Sequence, residues 1–345
     1  MSVTYLYGAG ASFHSLPVVA GIPQAYSEFQ GTVINLLRER GITLVFPMKY
    51  EKDHELYWAG RFLTLLDKFE HGINNHASID TYAKKLYLTD RKKLPEYKFC
   101  LSAFLSYSQI IKGPDQRYDT FYASIFQDDI FTFPEGLRII SWNYDTQFEI
   151  AYSNYSGSDS MEEAKENLHI ISKQDLNSLN NVPNDFHIVK LNGTIGFIDH
   201  SSDNAYYLQE KCFKEKKVFD QDDLSALIKT YENMATGKDT KPSMSFAWEE
   251  FQNGDNPIIE TASVSIVDTD TLVVIGYSFP YFNRQVDRKL FSSMPALEKV
   301  YIQDPGAHSL IEKVTELCDY EPRSNHVEIV PVLNVDSFLI PNELN

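Results

Sequence analysis

The segment VTYLYGAGAS, residues 3–12, is the most informative stretch of this chain. Its first half, Val3–Tyr7, is a short apolar run rich in β-formers, which predicts a buried strand. Gly8 and Gly10 follow directly, and glycines let the backbone turn sharply while a phosphate approaches the bare amides. Ser12 is placed to start or cap a helix whose first N–H groups face an anion. This order of strand, glycine turn and helix is typical of nucleotide-binding, doubly wound α/β sheets.

The glycine segment alone leaves two interpretations open. Phe13 occupies the position of the third glycine in the dinucleotide-binding pattern, so the segment does not favour a plain NAD dehydrogenase. A tight glycine turn that binds no ligand is the alternative to a phosphate-binding turn. The rest of the chain has to decide between them.

Apolar segments with strand character alternate with helical-looking segments along the whole chain. This alternation predicts a mainly parallel, doubly wound, Rossmann-like α/β sheet of six strands. The predicted strands are Val3–Tyr7, Leu137–Ser141, His187–Leu191, Thr271–Ile275, Lys299–Ile302 and His326–Val330.

Two insertions separate these strands, a helical one over about residues 45–130 and a polar one over about residues 195–260. No segment has the composition of a linker, so we expect a single domain over residues 1–345, with the insertions packed as a cap on the sheet. Helices are predicted over Pro23–Arg40 and Leu224–Met234, and one capped by Asp119 that runs through Phe126.

Small and polar residues follow the predicted strands where each one ends. Asn143-Tyr144-Asp145 follows the second strand, Asn192-Gly193-Thr194 the third, and Gly276-Tyr277-Ser278 the fourth. Gln303 and Asp304 follow the fifth. Open α/β sheets bind ligands outside the carboxyl ends of their strands, so these groups are candidate binding residues. The alternative for Asn143 and Asp145 is that they cap the helix beginning near Thr146.

Together these segments resemble the SIR2-like family, the branch of the sirtuin fold found in bacterial NAD-consuming defence proteins. Gly8-Ala9-Gly10-Ala11-Ser12 is similar to the opening Gly-Ala-Gly-x-Ser of that family, and Gly21-Ile22-Pro23 resembles the Gly-Ile-Pro that follows in sirtuins. Asn143-Tyr144-Asp145 is similar to the family's Asn-x-Asp, and Gly276-Tyr277-Ser278 to its Gly-x-Ser. Lys190-Leu191-Asn192-Gly193-Thr194 aligns with Leu-His-Gly-Ser.

The resemblance implies that the chain hydrolyses NAD to nicotinamide and ADP-ribose as an antiviral effector. It implies that the glycine turn binds the diphosphate, that Asn143 holds the attacking water or a ribose hydroxyl, and that Asp145 supplies negative charge or binds the nicotinamide amide. His14 lies two residues past the turn, near the expected mouth of the site. The NAD-binding residues expected from the resemblance are Gly8, Ala9, Gly10, Ser12, Gly276, Ser278 and Asp304, and the catalytic ones are Asn143, Asp145 and Asn192. His14 is added to the NAD-binding residues because of its position.

Asn192 departs from the family pattern, because it stands where the family has its catalytic histidine. An amide cannot act as a general base near neutral pH, whereas an imidazole can. A catalytically silent subunit that binds NAD or ADP-ribose is therefore the main alternative to the hydrolase. A transferase that uses NAD as donor is a third possibility.

Cysteine spacing and charge argue against several other classes of protein. Cys100, Cys212 and Cys318 are too far apart in sequence to form the zinc site of sirtuin deacylases, so we expect no metal and disfavour protein deacylation. The net charge of −17 disfavours direct binding of nucleic acid. Few cysteines, no signal peptide at the start and no apolar run long enough for a bilayer lead us to expect a cytoplasmic protein.

An active NAD hydrolase has to be held inactive until it is triggered. The core that resembles the SIR2-like family and the two insertions use nearly all 345 residues, so we expect control by self-assembly or by a separate sensor subunit. The aromatic residues of His54–Lys112 are candidates for such an interface. Packing inside the domain is the alternative for the same residues.

Overall fold

The computed structural model describes residues 1–41, 55–126, 131–158, 160–177, 183, 185–199, 210–213, 217–238, 240–249, 256–322 and 326–344. The start and end of the predicted helical insertion, 45–54 and 127–130, therefore lie outside the described residues. So do parts of the polar insertion, including residues 201–209 and 251–255.

The chain forms two compact units, and each of them is built from separate stretches of sequence. The first unit contains Met1–Phe13, Pro114–Thr194 and Ser245–Asn345, and the second contains His14–Gly113 and Ile195–Met244. Every predicted strand belongs to the first unit, whereas the second unit contains most of both predicted insertions.

Nine strands lie within the described residues, seven of them in one parallel sheet. In chain order they are β1 (Val3–Tyr7), β2 (Leu137–Ser141), β3 (Ile170–Ile171), β4 (Ile188–Lys190), β5 (Gly193–Asp199), β6 (Thr240–Met244), β7 (Thr271–Ile275), β8 (Lys299–Gln303) and β9 (Glu328–Val332). β5 and β6 form a separate two-stranded sheet. The mainly parallel α/β sheet is confirmed, but the predicted number of six strands is wrong. The extra strand, β3, has two residues and is too short to stand out as an apolar run.

The order of strands across the large sheet is β3-β4-β2-β1-β7-β8-β9. β2, β4 and β3 therefore lie on one side of β1, and β7, β8 and β9 lie on the other side. β1 is paired with both, since Tyr7 lies opposite Ser141 on one side and Ile275 on the other. This reversal is the topological switch point of a doubly wound sheet, where ligands bind beyond the carboxyl ends of the strands.

Burial explains why these apolar runs become central strands. All five residues of β1 are buried, as are all five of β2 and of β7. Strands covered on both faces read as continuous apolar runs rather than as alternating ones. For this reason the ends of these three strands coincide with the predicted ones.

The helices in the described residues divide between the two units. In chain order they are α1 (Ile22–Glu39), α2 (Glu55–Asn74), α3 (Ile79–Thr89), α4 (Leu94–Lys112), α5 (Gln116–Ile125), α6 (Gln147–Ser156), α7 (Met161–Asn167), α8 (Gln221–Ala235), α9 (Pro257–Ser265), α10 (Arg284–Ser292) and α11 (Ala307–Cys318). The predicted helices near Pro23–Arg40 and Leu224–Met234 are confirmed by α1 and α8. Asp119 is not a helix cap, because α5 begins earlier and the side chain of Asp115 accepts from the N–H of Arg117.

The second unit is a helical assembly with an aromatic interior. α4 is buried along most of its length, and the rings of Tyr26, Phe69 and Phe104 pack together inside this unit. Aromatic rings that meet edge to face or offset stabilise such helix interfaces. No helix in the described ranges combines the length and the apolar character needed to cross a membrane.

Candidate functional site

The turn after β1 is tied to the turn after β7 by backbone hydrogen bonds. The N–H of Gly8 donates to the carbonyl of Ile275, and the N–H of Gly10 donates to the carbonyl of Gly276, each at 2.9 Å. These two amides are therefore engaged inside the protein. The turn itself is a short 3₁₀ segment over Ala9–Ser12, and the next helix, α1, begins only at Ile22. The expectation that Ser12 starts or caps a helix is wrong.

The glycines of both turns are required by the closeness of the two backbones. A Cβ on Gly8 would lie 2.7 Å from the carbonyl oxygen of Gly276, and one on Gly10 would lie 2.8 Å from the Cα of Gly276. Gly276 has φ of +58°, and its own Cβ would come within 2.5 Å of the backbone of Gly10 and Ala11. The pattern of glycines predicts space for a phosphate. In the structure the missing side chains allow the backbones of the two turns to approach each other.

Arg117 binds the carbonyl oxygens of the β1 turn, and it is not among the residues predicted from the sequence. The guanidinium is buried, pairs with Asp115 at 2.7 Å, and donates to the carbonyl oxygens of Gly10 at 3.2 Å and Ala11 at 2.8 Å. It also donates to the carbonyl of Val335 in the C-terminal segment. In the sequence nothing distinguishes a buried arginine from any other arginine of a helix. In the structure its planar guanidinium, with five N–H donors, accounts for the several carbonyl groups that it binds.

Ser12, Tyr118, Asn143 and Asp145 form one buried hydrogen-bonded group, which we call the Ser12 network. The hydroxyl of Ser12 donates to Asp145 Oδ2 at 2.8 Å and accepts from Asn143 Nδ2 at 3.4 Å. A hydroxyl has one proton and two acceptor positions, so the phenol of Tyr118, 2.8 Å away, must be the donor in its bond to Ser12. Ser12 therefore has its full set of partners within the protein.

The Ser12 network changes the acid–base properties of its members. Burial raises the pKa of Asp145 to about 6, although Lys190, the Ser12 hydroxyl and the N–H of Gln147 each lower it. Burial and the nearby Asp145 raise the pKa of Tyr118 well above its ordinary value, so the phenol stays protonated. The bond from the N–H of Gln147 to Asp145 Oδ1, at 3.2 Å, shows that Asp145 also serves the start of α6. Asp145 therefore accepts from the first amide of α6 and from the Ser12 hydroxyl at the same time.

Asn192 connects three segments of the first unit. Its side-chain Nδ2 donates to the carbonyl of Trp142 at 2.8 Å, and its Oδ1 accepts from the N–H of Ala247 at 2.9 Å. The backbone carbonyl of Asn192 accepts from the N–H of Ser245 at 2.8 Å. Because Trp142 directly precedes Asn143, the amide of Asn192 fixes the end of β2 and the segment 245–249 at the same time. Both ends of this amide are used in structural bonds.

The segment fixed by Asn192 carries aromatic rings next to the Asn-Tyr-Asp motif. Phe246 meets the ring of Tyr144 edge-on, with 5.8 Å between centroids, and stacks on Trp248 at 4.9 Å. Tyr144 is half-buried, and Phe246 and Trp248 are buried. Nothing in the order of residues predicted this contact, because about a hundred residues separate Tyr144 from Phe246.

The remaining predicted residues are not part of the Ser12 network. Ser278 is exposed, and its carbonyl accepts from Lys313 Nζ at 2.9 Å. The carboxylate of Asp304 accepts from the N–H of Gly306 at 2.7 Å, just before α11. The side chain of Gln303 holds the C-terminal segment through the N–H of Leu339 and two backbone carbonyls.

Ala9 and His14 both lie at the surface of the protein. Ala9 is exposed within the 3₁₀ turn of the first unit. His14 is also exposed and is the first residue of the second unit.

The cysteines are free thiols, and all three are buried. Within the ranges that the structure describes, no group of three or more His, Cys, Asp or Glu side chains is arranged to hold a metal ion. Burial raises the pKa of the Cys100 thiol well above its ordinary value and that of Cys212 to about 12. These two thiols are therefore protonated near neutral pH.

No protein-family model matches this chain, and no curated protein has a significantly similar sequence.

Proposed function

We propose that this protein binds NAD beyond the carboxyl ends of β1, β2 and β7 and hydrolyses it to nicotinamide and ADP-ribose. The observation that supports this proposal best is the Ser12 network. It joins Asn143 and Asp145 to the turn after β1, beside the switch point of the sheet. An amide and a carboxylate are thereby held together where doubly wound sheets bind nucleotides.

The reaction breaks the bond between ribose C1′ and the nicotinamide nitrogen. Water oxygen forms the new bond to C1′, the electron pair of the broken bond leaves with neutral nicotinamide, and the proton lost by the water is released to solvent. The ribose carries positive charge in the transition state, so a nearby carboxylate stabilises it. We assign this role to Asp145, and we assign the positioning of the water or of a ribose hydroxyl to Asn143, whose amide both donates and accepts.

A catalytically silent subunit that binds NAD or ADP-ribose is the second candidate, and Asn192 favours it. The residue at the position of the family histidine is an amide engaged at both ends by backbone groups. It cannot accept a proton near neutral pH. Under this second proposal the nucleotide still binds beyond the carboxyl ends of β1, β2 and β7, but no bond is broken.

The decisive experiment measures binding and turnover separately on the full chain. Calorimetry with NAD and with ADP-ribose measures binding, and chromatographic detection of nicotinamide measures hydrolysis. Asn143→Ala is the test variant, and Asn167→Ala is the matched control because Asn167 is an exposed residue at the end of α7.

Hydrolysis that is lost in Asn143→Ala and kept in Asn167→Ala supports the hydrolase. Binding of NAD without nicotinamide release, with or without an added cell extract, supports the silent subunit. A chain that neither binds NAD or ADP-ribose nor releases nicotinamide contradicts both candidates.

A further inference from the structure

A buried ion pair contacts the Asn-Tyr-Asp motif through the backbone of Asp145. Lys190 at the end of β4 and Glu149 in the first turn of α6 have side chains that are 1% and 0% exposed, and Lys190 Nζ bonds to Glu149 Oε1. The same ammonium donates to the backbone carbonyl of Asp145 at 2.7 Å. Lys190 therefore contacts the motif itself as well as its charge partner.

Stability alone does not explain this pair. Taking two charges out of water costs free energy, and apolar residues of similar size often give an equally stable or more stable protein. The second oxygen of Glu149, Oε2, is buried and has no hydrogen-bond partner. An incompletely satisfied buried charge is costly, so the pair calls for a role besides packing.

We propose that Lys190 and Glu149 are a positioning pair that orients Asp145 and sets the charge of its carboxyl group. Lys190 fixes the backbone of Asp145 through the carbonyl and brings a positive charge close to this residue. Glu149 brings a negative charge that pairs with the same ammonium. Neither residue needs to touch a substrate, because both act through Asp145.

The groups that face Asp145 come from four elements of the first unit. Ser12 reaches it from the β1 turn and Tyr118 from α5 through Ser12, while the N–H of Gln147 and the charge of Glu149 come from α6. Lys190 comes from β4.

The two charged groups of the pair act on Asp145 with opposite sign. Lys190 lowers the pKa of Asp145, whereas Glu149 raises it, and the effect of Lys190 is the larger. Lys165 on α7 is a further charge close to the pair, and burial lowers its own pKa while Glu149 raises it. Lys165 is left unchanged in every variant of the test.

The test exploits this opposite sign. Lys190→Met is expected to raise the pKa of Asp145 by about one unit or more, because an opposite charge nearby is lost. Glu149→Gln is expected to lower the pKa of Asp145, since a like charge is lost while the shape of the side chain is kept. Both variants break the same ion pair. If the pair only stabilised the fold, the two variants would disturb Asp145 in the same way, and its pKa would not shift in opposite directions.

The measurement is a titration of the Asp145 carboxyl carbon by NMR, in protein labelled with ¹³C at aspartate. The signal is assigned by its absence in Asp145→Asn. Lys190→Arg is the conservative control and is expected to leave the pKa of Asp145 close to that of the natural protein. If Lys190→Met does not fold, the double variant Lys190→Met/Glu149→Leu removes both buried charges, and the pKa of Asp145 still rises because the larger of the two effects is lost.

This proposal deepens the proposed function but is tested without it, since the titration requires no NAD. The positioning pair would be overturned if the pKa of Asp145 were the same in the natural protein, Lys190→Met and Glu149→Gln, whatever their activity. Shifts of opposite sign in a chain that neither binds nor cleaves NAD would support the pair and contradict only the proposed function. Where turnover is present, the acid limb of its pH profile moves with the pKa of Asp145.

Discussion

The N–H of Gly10 donates to the carbonyl oxygen of Gly276 at 2.9 Å, which joins the turn after β1 to the turn after β7. These two strands are neighbours at the switch point of the sheet, although more than two hundred residues separate them in sequence. The two turns are therefore held together by direct contact between their backbones. Arg117 and the Ser12 network contribute side-chain hydrogen bonds to the turn after β1.

The first prediction concerns this contact between the turns. Gly276→Ala is expected to lower the free energy of unfolding by about 1–3 kcal/mol, because the new methyl group meets the backbone of Gly10 at 2.5 Å and φ is +58°. Urea unfolding without any nucleotide measures the effect. Gly31→Ala is the control, since no atom lies within 4 Å of the place its methyl group would take in α1, and a gain of about 0.5–1 kcal/mol is expected there. Equal stability of the two variants would contradict this close contact.

The second prediction concerns the Ser12 network. Ser12→Ala should destabilise the protein by about 1–3 kcal/mol in the absence of nucleotide, because Tyr118 and Asp145 each lose a buried partner. Ser263→Ala is the matched control, since the hydroxyl of Ser263 is buried without a hydrogen-bond partner and its removal should cost little. A Ser12→Ala variant that is as stable as the natural protein would contradict a stabilising role of the Ser12 network.

The third prediction concerns Asn192. The two ring nitrogens of histidine do not superpose on the Nδ2 and Oδ1 of an asparagine amide, so a ring that donates to Trp142 leaves no acceptor for the N–H of Ala247 in Asn192→His. We expect faster hydrogen exchange at the amide of Ala247 and no gain in NAD hydrolysis. Asn167→Ala controls for the loss of an asparagine. Increased nicotinamide release by Asn192→His would instead mean that a base at this position is the missing catalytic group.

The fourth prediction follows from the pKa of Asp145, which burial raises from 3.8 to about 6. Between these two values the folded chain holds a proton that the unfolded chain has lost, so stability falls as pH rises. The contribution is about 3 kcal/mol, lost between about pH 4 and pH 6 and constant above. Urea unfolding of the natural protein and of Asp145→Asn over this range measures it as the difference between the two curves. Parallel curves would contradict a raised pKa of Asp145.

The fifth prediction concerns control of the proposed activity. We expect the purified chain to be an oligomer, or to be inert alone and active with a separately encoded subunit. Light scattering and a nicotinamide assay on the same sample measure both properties. A monomer with full, unregulated hydrolysis would contradict this expectation.

The strands that lie at the centre of the sheet could be predicted to the residue, and the peripheral ones could not. β1, β2 and β7 are buried on both faces, so the entire run is apolar and its ends are sharp. β9, at one edge, begins two residues later than predicted and extends to Val332, because half-exposed residues do not mark its ends. β3, at the other edge, is too short for any periodic pattern.

The parallel α/β sheet, and the strand ends at which candidate site residues lie, could be predicted from the amino-acid sequence. Apolar runs and glycines are local signals, so they can be read without knowledge of partners. Only the tertiary structure decided what those residues contact. Ser12 is bonded to Asp145 and Tyr118, Asn192 to Trp142 and Ala247, and Lys190 to Glu149. Hydrogen bonds and buried ion pairs depend on distances in space between residues that are far apart in the chain. These distances are defined only in the folded protein, so local patterns in the sequence cannot predict them.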